Sequence, residues 1–320
     1  MSVKSKILKI LTEAEGDFVS GQSLGKQLFC SRNAVWKAIE ALRQEGYRIE
    51  AVTNKGYALV GGDVFSVEGI SRYLTAPFTV DVRESVTSTN DVLKAAAERG
   101  ANEGYVIAAV EQTGGKGRMG RSFFSPESGL YFSILLRPKI SAQDSLMITT
   151  AAAVSVVSAI GNVCGKSCGI KWVNDVFLNG LKICGILTEA SVDFETGGLQ
   201  YAVLGIGINV ANPAENFPSE LQGIAGAIYD RIPQDEDIKN RLCAEVLNCF
   251  YEYYQDLPAR TFMEEYKAHS ILVGRKINVI RGERTVGAVA MGIDDYARLL
   301  VRYEDGTEEA ISAGEVSIRF

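Results

Sequence analysis

The chain has 320 residues, 47% hydrophobic and 22% charged, which leaves room for two or three domains with a large core and excludes disordered, collagen-like and disulfide-scaffold chains. Its single histidine, His269, excludes Ser-His-Asp and Cys-His catalysis and histidine-rich zinc or iron sites, all of which need positioned imidazoles. The net charge of −6 is uneven: residues 1–60 hold nine Lys/Arg against six Asp/Glu, leaving −9 for the remainder, the pattern of a small basic module on an acidic body.

Lys4, Lys6 and Lys9 interrupt any apolar signal-peptide core. Val3, Ile7, Ile10 and Leu11 keep helical spacing, and Leu24 and Leu28 mark a second, short helix. Ser31 caps a third, whose apolar face is Val35, Ile39 and Leu42 and which Gly46 ends. Tyr47–Val52 and Tyr57–Val60 then read as strands around the turn Thr53-Asn-Lys-Gly56. Helix, turn, helix and hairpin describe a winged helix-turn-helix. Its third helix offers Arg32, Asn33, Trp36 and Lys37 away from the apolar face, with Arg and Asn suited to base edges and Lys to phosphate. The alternative is a small helical domain for protein contacts with Trp36 in its core. The local charge and the wing favour DNA.

Gly61-Gly62-Asp63 starts a linker. Strands follow at Thr79–Val86, Tyr105–Glu111 and Gly129–Leu136, with a helix at Asp91–Arg99 between the first two. Ser145–Gly165 is the longest uncharged stretch, 21 residues, long enough to span a bilayer. Its alanines, valines, serines and threonines instead describe a small-residue core helix, and no membrane association is expected. Gly169–Val173, Val176–Leu178 and Lys182–Ala190 are strands, the last two joined by the hairpin signal Asn179-Gly180. Gln200–Asn209 is another. Asp237–Gln255 and Arg260–Ala268 are helical, and from Gly274 short strands at Lys276–Ile280, Thr285–Met291, Ala297–Tyr303 and Thr307–Ser312 describe a small SH3-type barrel. The six cysteines (Cys30, Cys164, Cys168, Cys184, Cys243, Cys249) are scattered, as expected of reduced thiols in a cytoplasmic protein, and none forms a second pair at zinc spacing.

Three segments carry chemistry. Gln112-Thr-Gly-Gly-Lys-Gly-Arg-Met-Gly-Arg121 places four glycines and three cations in ten residues. Glycines let backbone N–H groups converge on an anion, and Lys116, Arg118 and Arg121 add charge, so the segment reads as a phosphate-handling loop or, alternatively, a solvated basic hairpin. Lys171-Trp-Val-Asn-Asp175, with Lys182 returned by the Asn179-Gly180 turn, brings together a carboxylate, a carboxamide and an ammonium; a surface ion pair is the alternative. Ser88-Thr-Asn90 precedes a helix, where capping alone is the competing explanation. Gly161–Ser167 is one residue short of a P-loop, and Gly205-Ile-Gly-Ile-Asn209 lacks the third glycine of a dinucleotide fingerprint. Strand glycines there point to close approach of a ligand or another backbone.

Taken in order and spacing, Gly115-Lys-Gly-Arg-Met-Gly-Arg121, Ser125-Pro126, Lys171-Trp-Val-Asn-Asp175, Lys182-Ile-Cys-Gly-Ile-Leu187 and Gly205-Ile-Gly-Ile-Asn209 resemble the biotin protein ligases. With the winged helix in front, the chain resembles the bifunctional bacterial form, ligase and biotin-operon repressor in one. The resemblance covers essentially the whole chain and implies an α+β multidomain fold: a winged helix-turn-helix over 1–62, a mixed α/β ligase domain over 67–268 and an SH3-like β-barrel over 270–320. It implies ATP-dependent transfer of biotin, through biotinyl-5′-AMP and with Mg²⁺, to a lysine of a biotin carboxyl carrier protein. It also implies repression at operator DNA by a homodimer holding biotinyl-AMP. By resemblance, biotin or its adenylate meets Ser88, Thr89, Asn90, Gln112, Lys116, Gly117, Arg118 and Lys182, and the nucleotide meets Gly115, Arg121, Asn174 and Asn209. Lys182, Arg118 and Asp175 carry catalysis, Asp175 also facing the metal, and Arg32, Asn33, Trp36 and Lys37 face DNA. Two departures stand out: Val173 replaces the proline of the family's frequent Trp-Pro-Asn-Asp, and Lys116 replaces a frequent arginine, keeping charge but losing the fork. Two rivals share parts of this pattern. A lipoate ligase has the central fold with a different glycine-rich signature. A ligand-responsive transcription factor would bind biotin without ligating it, against which the Asn174, Asp175 and Lys182 set argues.

Overall fold

A serine opens each of the first three helices. The computed structural model describes residues 2–318 except Glu15, Asp63, Asp193, Phe194, Thr196, Ala214, Glu215, Asp235, Glu283 and Ala313, so the last residue of the expected linker start lies outside the described residues. Contacts divide the chain into two units, Met1–Thr75 with Ile232–Glu245 and Ala76–Arg231 with Val246–Phe320.

In the first unit, α1 (Val3–Glu13), α2 (Gly21–Gln27) and α3 (Arg32–Gln44) are capped by Ser2, Ser20 and Ser31. Each hydroxyl oxygen accepts from the amide three residues on, at 3.2, 3.0 and 3.1 Å, satisfying one of the donors a helix start leaves free. Of the expected apolar positions, Ile7, Leu11, Leu24, Val35, Ile39 and Leu42 form the core, each exposed by 1% or less, while Ile10 and Leu28 pack partly buried against it and Val3 is exposed. Past α3, Gly46 takes a φ of 101° and the chain enters the wing, β1 (Arg48–Val52) paired antiparallel with β2 (Gly56–Gly61). A short helix absent from the sequence reading, α4 (Val67–Ser71), is capped by Ser66 and braced by Asn240. The Asn240 carboxamide, 1% exposed, donates to the Val64 carbonyl and accepts from the Ser66 amide. It lies where a Cβ on residue 69 would stand, 2.4 Å from its Nδ2, so only glycine fits there.

The second unit is built on a seven-stranded sheet. Its strands are β3 (Thr79–Val86), β4 (Tyr105–Gln112), β5 (Leu130–Leu136), β6 (Gly169–Lys171), β7 (Asp175–Leu178), β8 (Leu181–Val192) and β9 (Leu199–Ile208), in the spatial order β3-β4-β5-β9-β8-β7-β6. The pair β3–β4 is parallel, joined through α5 (Thr89–Glu98), and every other pair is antiparallel. Asn179 and Gly180 have φ of 51° and 80°, the two left-handed residues of a tight hairpin turn, as the dipeptide predicts.

Alternation along β9 separates the two faces. Odd positions (Val203, Gly205, Gly207) face α5, whose Leu93 and Ala97 pack with Ile107, Leu135 and Val203. On the even side Thr188 meets Thr149 of α6 (Leu146–Cys164), hydroxyl to hydroxyl at 2.7 Å. This is the stretch long and apolar enough for a membrane. Every residue from Met147 to Val157 is buried inside the unit, and the Thr150 and Ser155 hydroxyls donate to carbonyls of the preceding turn, so it is a core helix. Helix α7 (Ile238–Tyr254) has its residues up to Glu245 in the first unit and the rest in this one, and α8 (Met263–Ala268) follows. The latter starts three residues later than its pattern because Arg260 adopts a left-handed φ of 55°, which breaks the helix. Five short strands complete the unit: β10 (Lys276–Arg281), β11 (Arg284–Ile293), β12 (Leu299–Tyr303), β13 (Glu308–Ile311) and β14 (Glu315–Ile318), antiparallel in the order β13-β12-β11-β10-β14. All six cysteines are free thiols.

Candidate active site

Strand register lays out the site. Across the sheet, Tyr131 pairs with Gly207, Gly207 with Gly185, Gly185 with Asp175 and Asp175 with Lys171. The next row on the same face joins Ser133 to Gly205 and Gly205 to Leu187. Three glycines therefore leave a bare floor in the middle of the sheet. Close approach there is made by side chains. A Cβ on Gly207 would stand 2.7 Å from the Phe123 ring, one on Gly185 3.0 Å from it, and one on Gly205 2.1 Å from Asn90 Oδ1. Phe123 lies across the floor and divides it into two cavities.

The first cavity, about 30 Å³, is lined by Ser88, Thr89, Asn90, Gln112 and the strand glycines. Ser88 precedes α5, yet its side chain makes no capping hydrogen bond, so capping does not account for the Ser-Thr-Asn triplet. Gln112 Oε1 accepts from both the amide and the hydroxyl of Thr89 (2.9 and 3.1 Å), and its Nε2 donates to Ser125 Oγ (2.9 Å). Ser133, fully buried on β5, lies 2.7 Å from Thr89 Oγ1 and 2.6 Å from Asn90 Oδ1, and its one proton serves only one of them at a time. Asn90 Nδ2 donates to Glu189 (2.8 Å), which also takes Lys94 at 2.8 Å. Apart from Lys116 at its edge, this wall offers only neutral donors and acceptors, held in place by one another, which suits a polar, uncharged group.

The second cavity, about 110 Å³, carries the charge: Lys116, Arg118, Arg121, Lys171 and Lys182, with Asp175 as the one carboxylate among its described lining residues. Asp175 and Lys182 pair at 2.6 Å across β7 and β8. The turn before Asp175 is fixed on three sides. The Trp172 indole donates to the Ala297 carbonyl (2.7 Å), the Tyr266 hydroxyl to the Val173 carbonyl (3.1 Å) and Asn174 Nδ2 to the Ile186 carbonyl (2.8 Å). Asn174 Oδ1 is thereby presented to Arg118, whose Nη1 donates to it at 2.9 Å while Nη2 donates to the Gly314 carbonyl at 3.2 Å. The glycine-rich segment is a hairpin. Its base is held by Gly114 N to Thr87 O (2.8 Å) and Phe123 N to Gly115 O (2.8 Å), and its tip by Gly117 N to Arg121 O (2.7 Å). Gly115 is fixed by crowding, since a Cβ would lie 2.4 Å from the Phe123 carbonyl. Lys116, Phe123, Gly185 and Leu187 line both cavities and mark the seam between them.

Most of the expected site residues converge here. Gly115 and Asn209 line neither cavity: Gly115 lies against the Phe123 carbonyl and Ser125 at the hairpin base, and Asn209 Nδ2 donates to the Gly226 carbonyl (2.9 Å), which braces the segment after β9. In the first unit, Arg32, Asn33, Trp36 and Lys37 are all exposed on α3, Trp36 by 51%, so Trp36 is no core residue. Sequence reasoning missed Ser133, Phe123, Glu189, Lys94, Asp91 and Gly314. Burial pushes the carboxyls of Asp91 and Glu189 up, but neighbours outweigh it: Lys116 and Lys94 hold Asp91, and Lys94 with the Asn90 amide holds Glu189, below the usual carboxylate range. Burial alone pushes the Tyr131 hydroxyl up, so it stays a donor, to the Pro126 carbonyl at 2.8 Å.

In chain order, a winged helix precedes, and a five-stranded module follows, a mixed sheet whose glycine floor carries a hydrogen-bonding pocket beside a cationic one. Family models match in the same order: an HTH domain over residues 3–58, the biotin/lipoate A/B protein ligase family over 82–209 and the biotin protein ligase C-terminal domain over 272–319. The bifunctional ligase/repressor BirA of Bacillus subtilis is 33% identical over 98% of both chains, and that of Escherichia coli 27% identical over 99% of this chain and 98% of its own. The biotin protein ligase of Aquifex aeolicus in complex with biotin and ATP superposes with a TM-score of 0.63 at 28% identity, covering 75% of this chain and 98% of that one. The chain belongs to the biotin protein ligase family, in its bifunctional ligase/repressor form.

Proposed function

We propose that this chain joins biotin to a lysine of a biotin carboxyl carrier protein at the expense of ATP, and represses biotin genes with the intermediate, biotinyl-5′-AMP, as corepressor. The observation that carries the reading is the seam: a neutral hydrogen-bonding pocket adjoins a cationic one, with Lys116 and Phe123 lining both. An acid whose ring is held by Ser88, Thr89, Asn90 and Gln112 has its carboxylate delivered towards Lys182. A carboxylate oxygen attacks the α-phosphorus of ATP and the bond to pyrophosphate breaks, giving the mixed anhydride. Lys182, Arg118 and Arg121 offset the charge that builds on the α-phosphate and departing pyrophosphate, with Gly115, Gly117 and Asn174 shaping the nucleotide side. In the second step the acceptor amine attacks the acyl carbon, loses a proton and expels AMP. Asp175, the one carboxylate among the described lining residues of the cationic cavity, orients that amine or takes its proton in this reading.

Magnesium fits only as a companion of the nucleotide. Among the described residues no three His, Cys, Asp or Glu gather to hold a metal, and Asp175 is already paired with Lys182. Asp175 would be the protein carboxylate beside a Mg²⁺ that enters with ATP, and the ion would supply counter-charge to the departing pyrophosphate.

The DNA-binding domain (1–62), ligase domain (67–268) and C-terminal domain (270–320) are read as separate functional parts. Arg32, Asn33, Trp36 and Lys37 face operator DNA, and a homodimer formed around retained biotinyl-AMP sets two recognition helices on two half-sites. The site of action is the cytoplasm. Incubation of the protein with ATP, biotin and a carrier domain tests the ligase: a mass gain of one biotinyl group on a single carrier lysine is expected, and lipoate taken in preference to biotin contradicts the reading. Sedimentation and gel shift with and without biotin plus ATP test the repressor, and ligand-independent operator binding contradicts it.

A further inference from the structure

The glycine-rich hairpin closes over two cavities of about 110 and 30 Å³, well below the roughly 300–1,000 Å³ of an ordinary small-molecule site. A biotinyl nucleotide therefore requires the hairpin to lift. The hairpin's base is tied by backbone bonds to Val86 and Thr87, and Arg118 is tied to Asn174 and Gly314. Between these, at the seam itself, stands Lys116, and its Nζ lies 2.7 Å from Asp91 Oδ1. Asp91 is the residue after Asn90, in the first turn of α5, a helix anchored by Leu93 and Ala97 in the core. It is one link of an alternating chain of charge. Lys94 lies 3.3 Å from Asp91 and 2.8 Å from Glu189, and Glu189 in turn accepts from Asn90 of the neutral pocket.

We propose that Asp91 is a positioning residue, a latch that holds Lys116 and with it the hairpin shut over the seam, and so sets how long the activated acid is retained. The inference rests on the reading of this site as one that makes and keeps biotinyl-AMP. Asp91 touches no reacting atom in this scheme; it acts through Lys116. Because the two side chains keep 35% and 45% of their exposure, the pair is screened by salt and modest in strength, which suits a latch that must open in every turnover. Lys94, itself held by Glu189, braces Asp91 from behind, so the latch lies on a rigid wall while only the hairpin moves.

The test uses the full-length protein and Asp91→Asn, Lys116→Gln and the double variant. The protein is loaded with biotin, ATP and Mg²⁺, and release of biotinyl-AMP is followed after a chase with excess unlabelled biotin and ATP. Each single variant is expected to speed release about three- to tenfold at low salt, the double variant no more than the faster single, and the difference to shrink as salt rises. Amide exchange of residues 115–122 without ligand gives a second reading, expected to quicken several-fold in Asp91→Asn and to be insensitive to Asp91 once Lys116 is Gln. Release and exchange unchanged in Asp91→Asn, or effects of the two substitutions that multiply, overturn the latch. Wild-type protein that forms no biotinyl-AMP overturns the reading of the site instead, and the exchange measurement still decides the latch.

Discussion

Lys182→Ala removes the charge on which the proposed first step most depends. The side chain is 30% exposed and its partner Asp175 21%, so an effective dielectric near that of a protein surface applies. At a dielectric of about 20, a unit charge about 4 Å from a reacting oxygen is worth roughly 4 kcal/mol, or about a thousandfold in rate. A second loss adds to the first, because Asp175 is left unpaired facing an incoming carboxylate and phosphates. Adenylate formation should fall by about three to four orders of magnitude. Strand geometry should survive, since the Lys182 amide donates to the Ile224 carbonyl and its carbonyl accepts from Gly226 whatever the side chain. Biotin-dependent ATP–pyrophosphate exchange is the assay. Lys182→Arg, which keeps the charge, should retain far more activity than Lys182→Ala. The double variant Lys182→Ala with Asp175→Asn should regain about tenfold or more over the single, because the stranded carboxylate is gone. Exchange in Lys182→Ala within about tenfold of wild type refutes this electrostatic reasoning.

Arg118→Gly removes two charge-assisted hydrogen bonds, to Asn174 and the Gly314 carbonyl, so adenylate release measured by chase should rise about tenfold to a hundredfold. Unchanged release would count against a closing role for Arg118. Gly205→Ala places a methyl 2.1 Å from Asn90 Oδ1, and Asn90 is only 4% exposed, so the pocket wall must shift. The KM for biotin should rise by about a hundredfold with that for ATP little changed, and equal shifts in both would mean the two pockets are not separate. Phe29, in the turn before α3, combines a left-handed φ of 51° with 97% exposure. Phe29→Gly should relieve about 1–2 kcal/mol of backbone strain against about 0.5–1 kcal/mol of added chain entropy. Amide exchange in α2 and α3 should slow about two- to fivefold, and faster exchange there would contradict it.

The parts of the fold that depend on local chemistry were legible in the sequence. Ser31 and Gly46 bound α3, Asn179-Gly180 turns β7 into β8, and the small apolar residues of 145–165 form a buried helix, as their patterns predict. The glycines of β8 and β9 announced a close approach, but only register and tertiary packing reveal that Phe123 and Asn90 make it. Ser133 and Glu189 were invisible because each lies on a strand remote in sequence from the Thr89-Asn90 pair it supports, and Lys94, on the same helix as that pair, reads locally as an ordinary helix residue. The same holds for Gly314, whose carbonyl reaches Arg118 across 196 positions of chain. Asn209 illustrates the opposite failure: its motif marks it as a ligand contact, while its carboxamide is taken up by Gly226. Conversely, the alternative that put Trp36 in a core fails on its 51% exposure, which no composition argument decides.

The central claim is that the neutral and cationic pockets together make one activated acid and hold it for transfer. A single-turnover experiment tests it most directly: the protein is incubated with equimolar biotin and lipoate plus ATP, desalted, and its bound ligand identified by mass spectrometry before and after a carrier domain is added. Biotinyl-AMP bound in the first sample, and AMP with biotinylated carrier in the second, is the predicted result. Free biotin bound without nucleotide, or lipoyl-AMP in its place, would contradict the account.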